Sequence, residues 1–516
     1  MLHQVEVATH EAILQAEAAV VLLAEVVVVL LAEAQDVPQE EETKKLIIIE
    51  LTKMKSFFTV AMLFAASLTS YSQSLGFQDL ALLFSENNQN GSARFTGMSG
   101  AFGAIGGDIS AINVNPAGIA VYTSSAFSAT FNSRNTRNTA NYYATARTTE
   151  DQFFNISQAG GVFVFNSGHT NGWTKVAVGV NYRIAKDFSN NFNAKGNSGI
   201  ATFRQYPLDQ NEVPIDYGIG NEQRFSSITN GELSEINIAF SAVHNHQLYV
   251  GGGLNTYDLN FTQITSLREE NTDGNNNNLS ATLFQENSTA GTGISLNAGF
   301  IYKLTQNFRV GLAYQTPTWF TEILQDTNYG FDRNNQIDID LFQGETTYVE
   351  GNQSPYTEYN DRQLIAYRLK TPSKFTASGA VVFGKKGLVS VDYTHKNFRG
   401  MKLTQEDFSL ENQFFQNELK NTHNLTIGTE WRMDRLSVRG GYSYEQSPLK
   451  NGLNTENITG YSVGGGYHFG NTKIDLSFSD RNRDTRYNFY TQFNNIKAAT
   501  LTTDNRTITA TLTFNL

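Results

Sequence analysis

The last ten residues of this 516-residue chain, Thr507-Ile508-Thr509-Ala510-Thr511-Leu512-Thr513-Phe514-Asn515-Leu516, alternate polar and apolar without a break. A period of two belongs to a β-strand with unlike faces. The same period recurs along most of the chain. Leu436, Val438, Tyr442 and Tyr444 share one face and Ser437, Arg439, Ser443 and Glu445 the other; Ile474, Leu476 and Phe478 oppose Asp475, Ser477 and Ser479. Trp173 to Arg183, Ser234 to Val243, Gly293 to Tyr302, Asn307 to Gln315 and Thr422 to Trp431 read alike. A water-soluble sheet with these outward faces would expose too much Tyr, Val and Leu. A cylinder with lipid outside and a wet lumen inside uses both faces.

Connection lengths test that reading, because outer-membrane barrels alternate tight periplasmic turns with long outer loops. Tight links fall near Asn245, Lys303 to Gln306, Gly384 to Gly387, Met433-Asp434 and Gly470-Asn471. Long ones are expected over Ala185 to Leu233, Thr265 to Thr289, Pro317 to Pro372, Asn397 to Asn421, Gln446 to Thr459 and Asn482 to Thr502. With a first hairpin of Tyr122 to Ser133 and Gln158 to Asn166, the count predicts an all-β, fourteen-stranded antiparallel transmembrane barrel. An even number returns both termini to the periplasm. The apolar C-terminal residue resembles the signal by which barrel-assembly machinery recognises its clients.

Composition narrows the function. With no cysteine, disulfide frameworks, thiolate metal sites and thiol catalysis are excluded. A mean hydropathy of -0.34 and the lack of a clean 20-residue apolar run argue against a helical bundle. Nothing is basic enough for nucleic acid.

Residues 1–53 stand apart, without Gly, Asn or aromatic residues, and carry ten acidic side chains against three lysines. Ala18 to Ala34 is apolar, but Glu25 at its centre is costly in hydrocarbon. Met54-Lys55, the apolar Phe57 to Leu68 and the small residues of Ser70-Tyr71-Ser72 then read as a signal peptide. Residues 1–53 are therefore expected to be an upstream extension, 54–72 the signal, 73–121 an internal segment and 122–516 the barrel. Met54 is the expected start and the mature end falls near Gln73.

Residues 74–121 are Gly- and Ala-rich and carry Gly76-Phe77-Gln78, Gly91-Ser92-Ala93-Arg94, Gly97-Met98-Ser99-Gly100-Ala101 and Asn113-Val114-Asn115-Pro116-Ala117-Gly118. Together with Val438-Arg439-Gly440-Gly441-Tyr442 and Tyr314-Gln315-Thr316-Pro317, they resemble the FadL/TodX family of outer-membrane transporters of long-chain fatty acids and other hydrophobic compounds. The resemblance covers Gly76 to Leu516. It implies a hatch inside the barrel, Phe77 in a hydrophobic pocket, and Asn115, Pro116 and Ala117 in the plug. It also implies sideways release where the third strand is kinked, with Gly179 a candidate weak point. The connection to Arg94, with Glu86-Asn87-Asn88-Gln89-Asn90, is longer and more polar than the family pattern.

The expected activity is passive transport of hydrophobic small molecules by a monomer in contact with outer-membrane lipid and lipopolysaccharide, without cofactor or metal. Arg183, Arg309 and Arg439 are candidate carboxylate anchors, because a guanidinium offers paired donors. Lys175 also faces inward, and Asp392, Glu430 and Asp475 are possible partners. An outer-membrane receptor or adhesin, or a lipase, are the alternatives. Gly460-Tyr461-Ser462-Val463-Gly464 matches a hydrolase pattern but lies within a strand, where no nucleophile elbow forms. His244 and His246 straddle a tight turn, and Asp332, Asn334, Asp338 and Asp340 lack the glycine of a calcium loop.

Overall fold

The computed structural model describes residues 74–166, 172–204, 215–329, 339–342, 345–349, 362–490, 493 and 495–516. The expected extension, the signal peptide, Asp332, Asn334 and Asp338 lie outside them.

Twenty strands form one closed antiparallel sheet. In chain order they are β1 (Ala126–Tyr142), β2 (Thr145–Asn166), β3 (Trp173–Asp187), β4 (Asn190–Gly196), β5 (Ile219–His244), β6 (Leu248–Thr272) and β7 (Asn278–Lys303). There follow β8 (Phe308–Gln315), β9 (Trp319–Tyr329), β10 (Ile339–Phe342), β11 (Glu345–Val349), β12 (Arg362–Lys370), β13 (Lys374–Val382) and β14 (Gly387–Lys396). The last are β15 (Lys402–Thr404), β16 (Thr422–Met433), β17 (Leu436–Glu445), β18 (Ile458–Phe469), β19 (Thr472–Tyr487) and β20 (Ala499–Asn515). Three wall strands are interrupted, as β3–β4, β8–β9 and β12–β13, while β10, β11 and β15 are accessory, so the wall has 14 strands. The β1–β20 ladder, Ala126 with Asn515 through Asn141 with Thr500, closes it. Closure leaves the C-terminal strand no free edge.

The alternation has the expected sense. On β17, Leu436, Val438 and Tyr442 face outward while Ser437, Arg439 and Ser443 are buried in the lumen. Outward apolar positions fall in short runs, such as Ile236, Ile238 and Phe240 on β5, which fit within the ~9–11 residues a tilted strand needs to cross a bilayer.

Several expected long loops are instead strand. β5 and β7 are 26 residues each, so their hairpins stand far beyond the membrane. The loop expected over Thr265 to Thr289 shrinks to residues 273–277, where Asp273 Oδ1 accepts the Asn275 and Asn277 amides at 2.7 and 3.1 Å. Polar Thr and Asn on both faces hid the alternation there. At the periplasmic end the β5–β6 turn places Asn245 and His246 at φ +50° and +53°, the left-handed pair that matches strand twist.

Residues 74–125 fill the lumen. They hold helix α1 (Phe77–Ser85), the single turn α2 (Ala93–Thr96) and two 3-10 helices, Ile109–Asn113 and Pro116–Val121. Ser92 caps α2 by accepting the Phe95 amide at 3.1 Å and donates to Asp108 at 2.7 Å. A Cβ on Gly91 would lie 2.8 Å from Phe95 and Ser110, so that chain crossing requires glycine. Helix α3 (Ser409–Asn417) belongs to the β15–β16 connection.

Candidate transport pathway

The lumen is layered. Going inward from the outer mouth, an aromatic cluster around Phe225 and Phe489, stacked 4.5 Å apart, overlies a cavity of about 390 Å³ lined by polar, charged and apolar side chains. Below is an apolar pocket formed by Phe188, Leu259, Phe261, Phe320, Tyr367 and Phe408. α1 is inserted in it. Phe77 meets Tyr367 and Phe408 edge-on, at ring-centroid distances of 5.4 and 5.1 Å, and Phe84 meets Phe188 and Phe261 at 5.6 and 5.5 Å. Edge-to-face pairs of this kind add about 0.5–1.5 kcal/mol each beyond area burial.

Next inward comes a belt of side-chain hydrogen bonds passing from strand to strand. Thr130 donates to Gln158 (2.7 Å), Gln158 to Asn181 (2.9 Å), Asn181 to Asn237 (3.2 Å), Asn237 to Asn255 (2.8 Å) and Asn255 to Ser295 (3.0 Å). Gln315 extends it by donating to Ser295 and to the Tyr257 hydroxyl. From Thr130 to Ser295 its members are buried, and the amides of Gln158, Asn181, Asn237 and Asn255 each both donate and accept, so desolvation is matched by partners.

The hatch lies below the belt. Asn115 holds its shape: Oδ1 accepts from the Ala117 amide (3.2 Å), and Nδ2 donates to the carbonyls of Gly103 (2.8 Å) and of Phe300 in the wall (3.0 Å). Pro116 opens the following 3-10 helix, and Ala117 is pressed against β6, where a Cβ on Gly251 would lie 2.6 Å from its nitrogen.

A model of the family described as outer membrane protein transport protein (OMPP1/FadL/TodX) matches residues 66–515. The chain belongs to that family. It is a protein of the bacterial outer membrane, and the family is one of transport proteins. Outer membrane protein P1 of Haemophilus influenzae is 26% identical over 200 residues, which cover 37% of this chain and only 38% of that one. The crystal structure of a Pseudomonas aeruginosa FadL homologue superposes with a TM-score of 0.54 at 14% identity, covering 84% of this chain and 99% of that one. The Pseudomonas putida toluene transporter TodX gives 0.48 at 14% identity, over 84% and 100%.

Among the described residues the wall parts between β2 and β3. β2 and β3 pair only from Gln158–Arg183 down to Asn166–Lys175, so Thr145 to Ser157 have no described strand partner except β1. Two bulges mark the point of parting. Ser157 is the extra residue between the Thr130–Gln158 and Phe131–Ile156 pairs, and Ala185 the extra one between Ile184 and Lys186. Beyond them β4 pairs with β5 and is tied to β1 and β2 by side chains, with Asn138 and Thr149 both donating to the Asn191 carbonyl. Phe154 and Ile156 border this seam on the lipid side and are 73% and 53% exposed. Gly179, the position the sequence marks for a break, is paired without a shift on both sides. A Cβ there would lie 2.9 Å from Ile112, so its missing side chain makes room for the hatch. The register shift in β3 lies further along, at Ala185, where no residue type announces it.

The three candidate arginines differ. Arg183 is held by Glu235 at 2.6 Å, and Arg439 by Glu430, Asp475 and Ser437, each at 2.7 Å. Arg309 meets only the Ile105 carbonyl, at 3.4 Å, and its Nε has no partner. Lys175 donates to the Tyr122 carbonyl, and Asp392 accepts the Gly103 amide at 2.9 Å. Ser462 contacts the hatch through Ser99 at 2.9 Å, mid-strand in β18. Sequence reading missed the belt and the linker 86–90. The linker's run of amides was visible, but its target was not: the Asn88 amide donates to the Ala185 carbonyl at 2.7 Å, and Asn90 Nδ2 to that of Ile184 at 2.9 Å.

Proposed function

We propose that this protein carries hydrophobic small molecules passively across the outer membrane, binding them in the apolar pocket now filled by α1, and releasing them sideways through the β2–β3 seam. The observation that carries this reading is the insertion of Phe77 and Phe84 among pocket aromatics. An oily ligand gains ~25 cal/mol per Å² of apolar surface withdrawn from water. It must displace side chains that make the same gain, so net affinity is a difference, and release stays feasible. A ligand shifts the plug only by this differential affinity. The hatch blocks the watery route below, which leaves the seam, bordered by Phe154 and Ile156, as the opening at lipid level. No covalent step or energy source is needed; the concentration gradient drives net flow.

The test is uptake of radiolabelled dodecanoate and toluene by cells with and without the gene, alongside equilibrium binding to purified protein. Phe77→Ala weakens the plug by two edge-on contacts, about 0.5–1.5 kcal/mol each, so ligand affinity is expected to rise by up to about a hundredfold. Gene-independent uptake of both probes, or weaker binding in Phe77→Ala, overturns the reading.

A further inference from the structure

We propose that Glu86 is a resident stand-in for the acid group of the cargo: a carboxylate-bearing amphiphile takes its place on Lys186 and Arg483, detaches the linker from the β3 bulge, and so unlatches the seam. The inference rests on the transport reading above and names the class of cargo that operates it.

Glu86 follows the last residue of α1, and its two carboxylate oxygens meet Lys186 at 2.7 Å and Arg483 at 2.5 Å. Neither cation forms a second ion pair among the described residues, although Glu445 lies near enough to act on Arg483. Two positive charges thus share one carboxylate, and a second anion is electrostatically welcome. Burial alone would raise the Glu86 pKa, but Arg483 and Lys186 outweigh it and hold the carboxyl well below its ordinary value, so it is ionised. Glu86 keeps 29% of its side-chain exposure, all three groups line the 390 Å³ cavity, and so do Leu75, Leu82 and Leu83. An acid head facing an apolar surface meets an amphiphile's needs at both ends. Exchange replaces one carboxylate by another on the same donors, so no buried charge is left bare.

Mechanical consequence follows from position. Lys186 flanks Ala185, the unpaired residue of the bulge, and Ala185 and Ile184 accept the Asn88 and Asn90 hydrogen bonds. Glu86, Asn88 and Asn90 therefore strap the end of α1 to the strand edge where the wall parts. A neutral hydrocarbon can compete for the pocket but offers nothing to Lys186 and Arg483. The strap stays closed.

The experiment uses the mature protein in lipid nanodiscs with two probes of equal length, dodecanoate and 1-dodecanol. With Glu86→Gln the internal competitor is gone. Dodecanoate is expected to bind about tenfold tighter, as for one charge-assisted contact, and dodecanol to be unchanged. Lys186→Met, which also serves should Glu86→Gln fail to fold, is expected to weaken dodecanoate by about tenfold and leave dodecanol alone. Because the chain has no cysteine, Asn88→Cys with Ala185→Cys can be oxidised cleanly; the locked form should still bind dodecanoate but lose its cellular uptake until reduced. Equal effects on both probes, or full uptake by the locked form, overturn the latch. If neither probe binds the unaltered protein, the transport reading itself fails; if both bind and the substitutions change nothing, only the latch does.

Discussion

The two sides of the hatch are attached to the wall by different physics. Toward β14–β20 the contacts are polar and charged: Arg94 grips Glu430 (2.7 Å) and the Gly107 carbonyl, Thr96 meets Ser477 (2.6 Å), and the Ala93 amide donates to Thr511 (2.7 Å). Glu430 also holds Arg439 and Arg432, and Arg439 continues to Asp475, so the bolt is a buried network. Toward β2–β7, Ile109, Ile112, Ile119 and Ala120 lie on Val162, Ala177, Ala239 and Ile301; the polar ties there are single hydrogen bonds, Asn115 to the Phe300 carbonyl, Asn297 to that of Ile112, Ser241 to that of Ala117 and Lys175 to that of Tyr122, and the Glu86–Lys186 ion pair belongs to the linker above. Directional buried contacts resist sliding, whereas apolar ones exchange partners at small cost. Below α1 the hatch is thus bolted by a buried charge network on the side away from the seam and held by apolar packing and single hydrogen bonds beside it, which suits a hatch that stays in place while α1 moves.

The largest break in that contrast should come from Glu430→Gln, which leaves Arg94 and Arg439 facing an uncharged amide. Removing one member of a buried ion network costs about 3–5 kcal/mol. The urea midpoint of unfolding, read by loss of the compact barrel band in unheated gels, should fall accordingly. Ile112→Val on the side beside the seam should cost only about 0.5–1.5 kcal/mol. Equal losses at the two positions would erase the distinction.

Next in size is the belt at the foot of the seam. Asn237→Leu removes the acceptor of Asn181 and the donor to Asn255. Each buried group left unpaired costs about 1–3 kcal/mol. Because Gln158, which joins the belt through Asn181, is the last β2 residue paired with β3, the seam should also lengthen. Amide hydrogen exchange at 158–162 is expected to quicken while that of β16–β19 does not.

A smaller effect separates two wall glycines. Gly251→Ala drives a methyl to 2.6 Å from the hatch backbone at Ala117, whereas Gly379→Ala meets nothing within 4 Å. Overpacking of this kind costs about 1–3 kcal/mol, and backbone cannot rotate away as a side chain can. Thermal midpoints of the two variants should diverge, with Gly379→Ala near the parent.

These contrasts also show what could be read without coordinates. The barrel, its strand number and its facing were legible because period-two alternation is local and survives in every membrane-crossing strand, as Leu436, Val438 and Tyr442 illustrate. The N-terminal segment was set apart by its lack of alternation, and its place in the lumen was expected only through the family resemblance carried by the glycines and Asn115-Pro116-Ala117. The pathway was not. Arg94 and Glu430 are 336 positions apart; Glu430 and Asp475 could be named as possible partners, but nothing local says which arginine each holds, and Glu235, which holds Arg183, was not among them. Gly179 drew attention because glycine can mark a bulge, yet its small size accommodates Ile112 from the hatch. Ala185 was silent because a bulge in β3 is decided by its neighbours β2, β4 and β5.

The plug gives the smallest and most reversible test, through Asp79. This residue lies in the first turn of α1 and is exposed to the cavity rather than sealed, where the surrounding wall and helix push its carboxyl up to about 6, partly offset by the Gly76 backbone. Undocked, it should return to its ordinary value of 3.8. A carboxyl whose pKa is higher in the docked state favours docking as it gains its proton. Lowering the pH through 6 therefore strengthens the plug, with the gain complete below the ordinary value. Because the ligand competes with α1, neutral 1-dodecanol should bind more weakly at pH 5 than at pH 7.5, and Asp79→Asn should bind weakly at both. Dodecanol is the appropriate probe, since it carries no charge to titrate and does not engage Lys186 or Arg483. An affinity that is flat across this range in the parent protein would mean that α1 does not leave the pocket when ligand enters, and that the plug yields elsewhere.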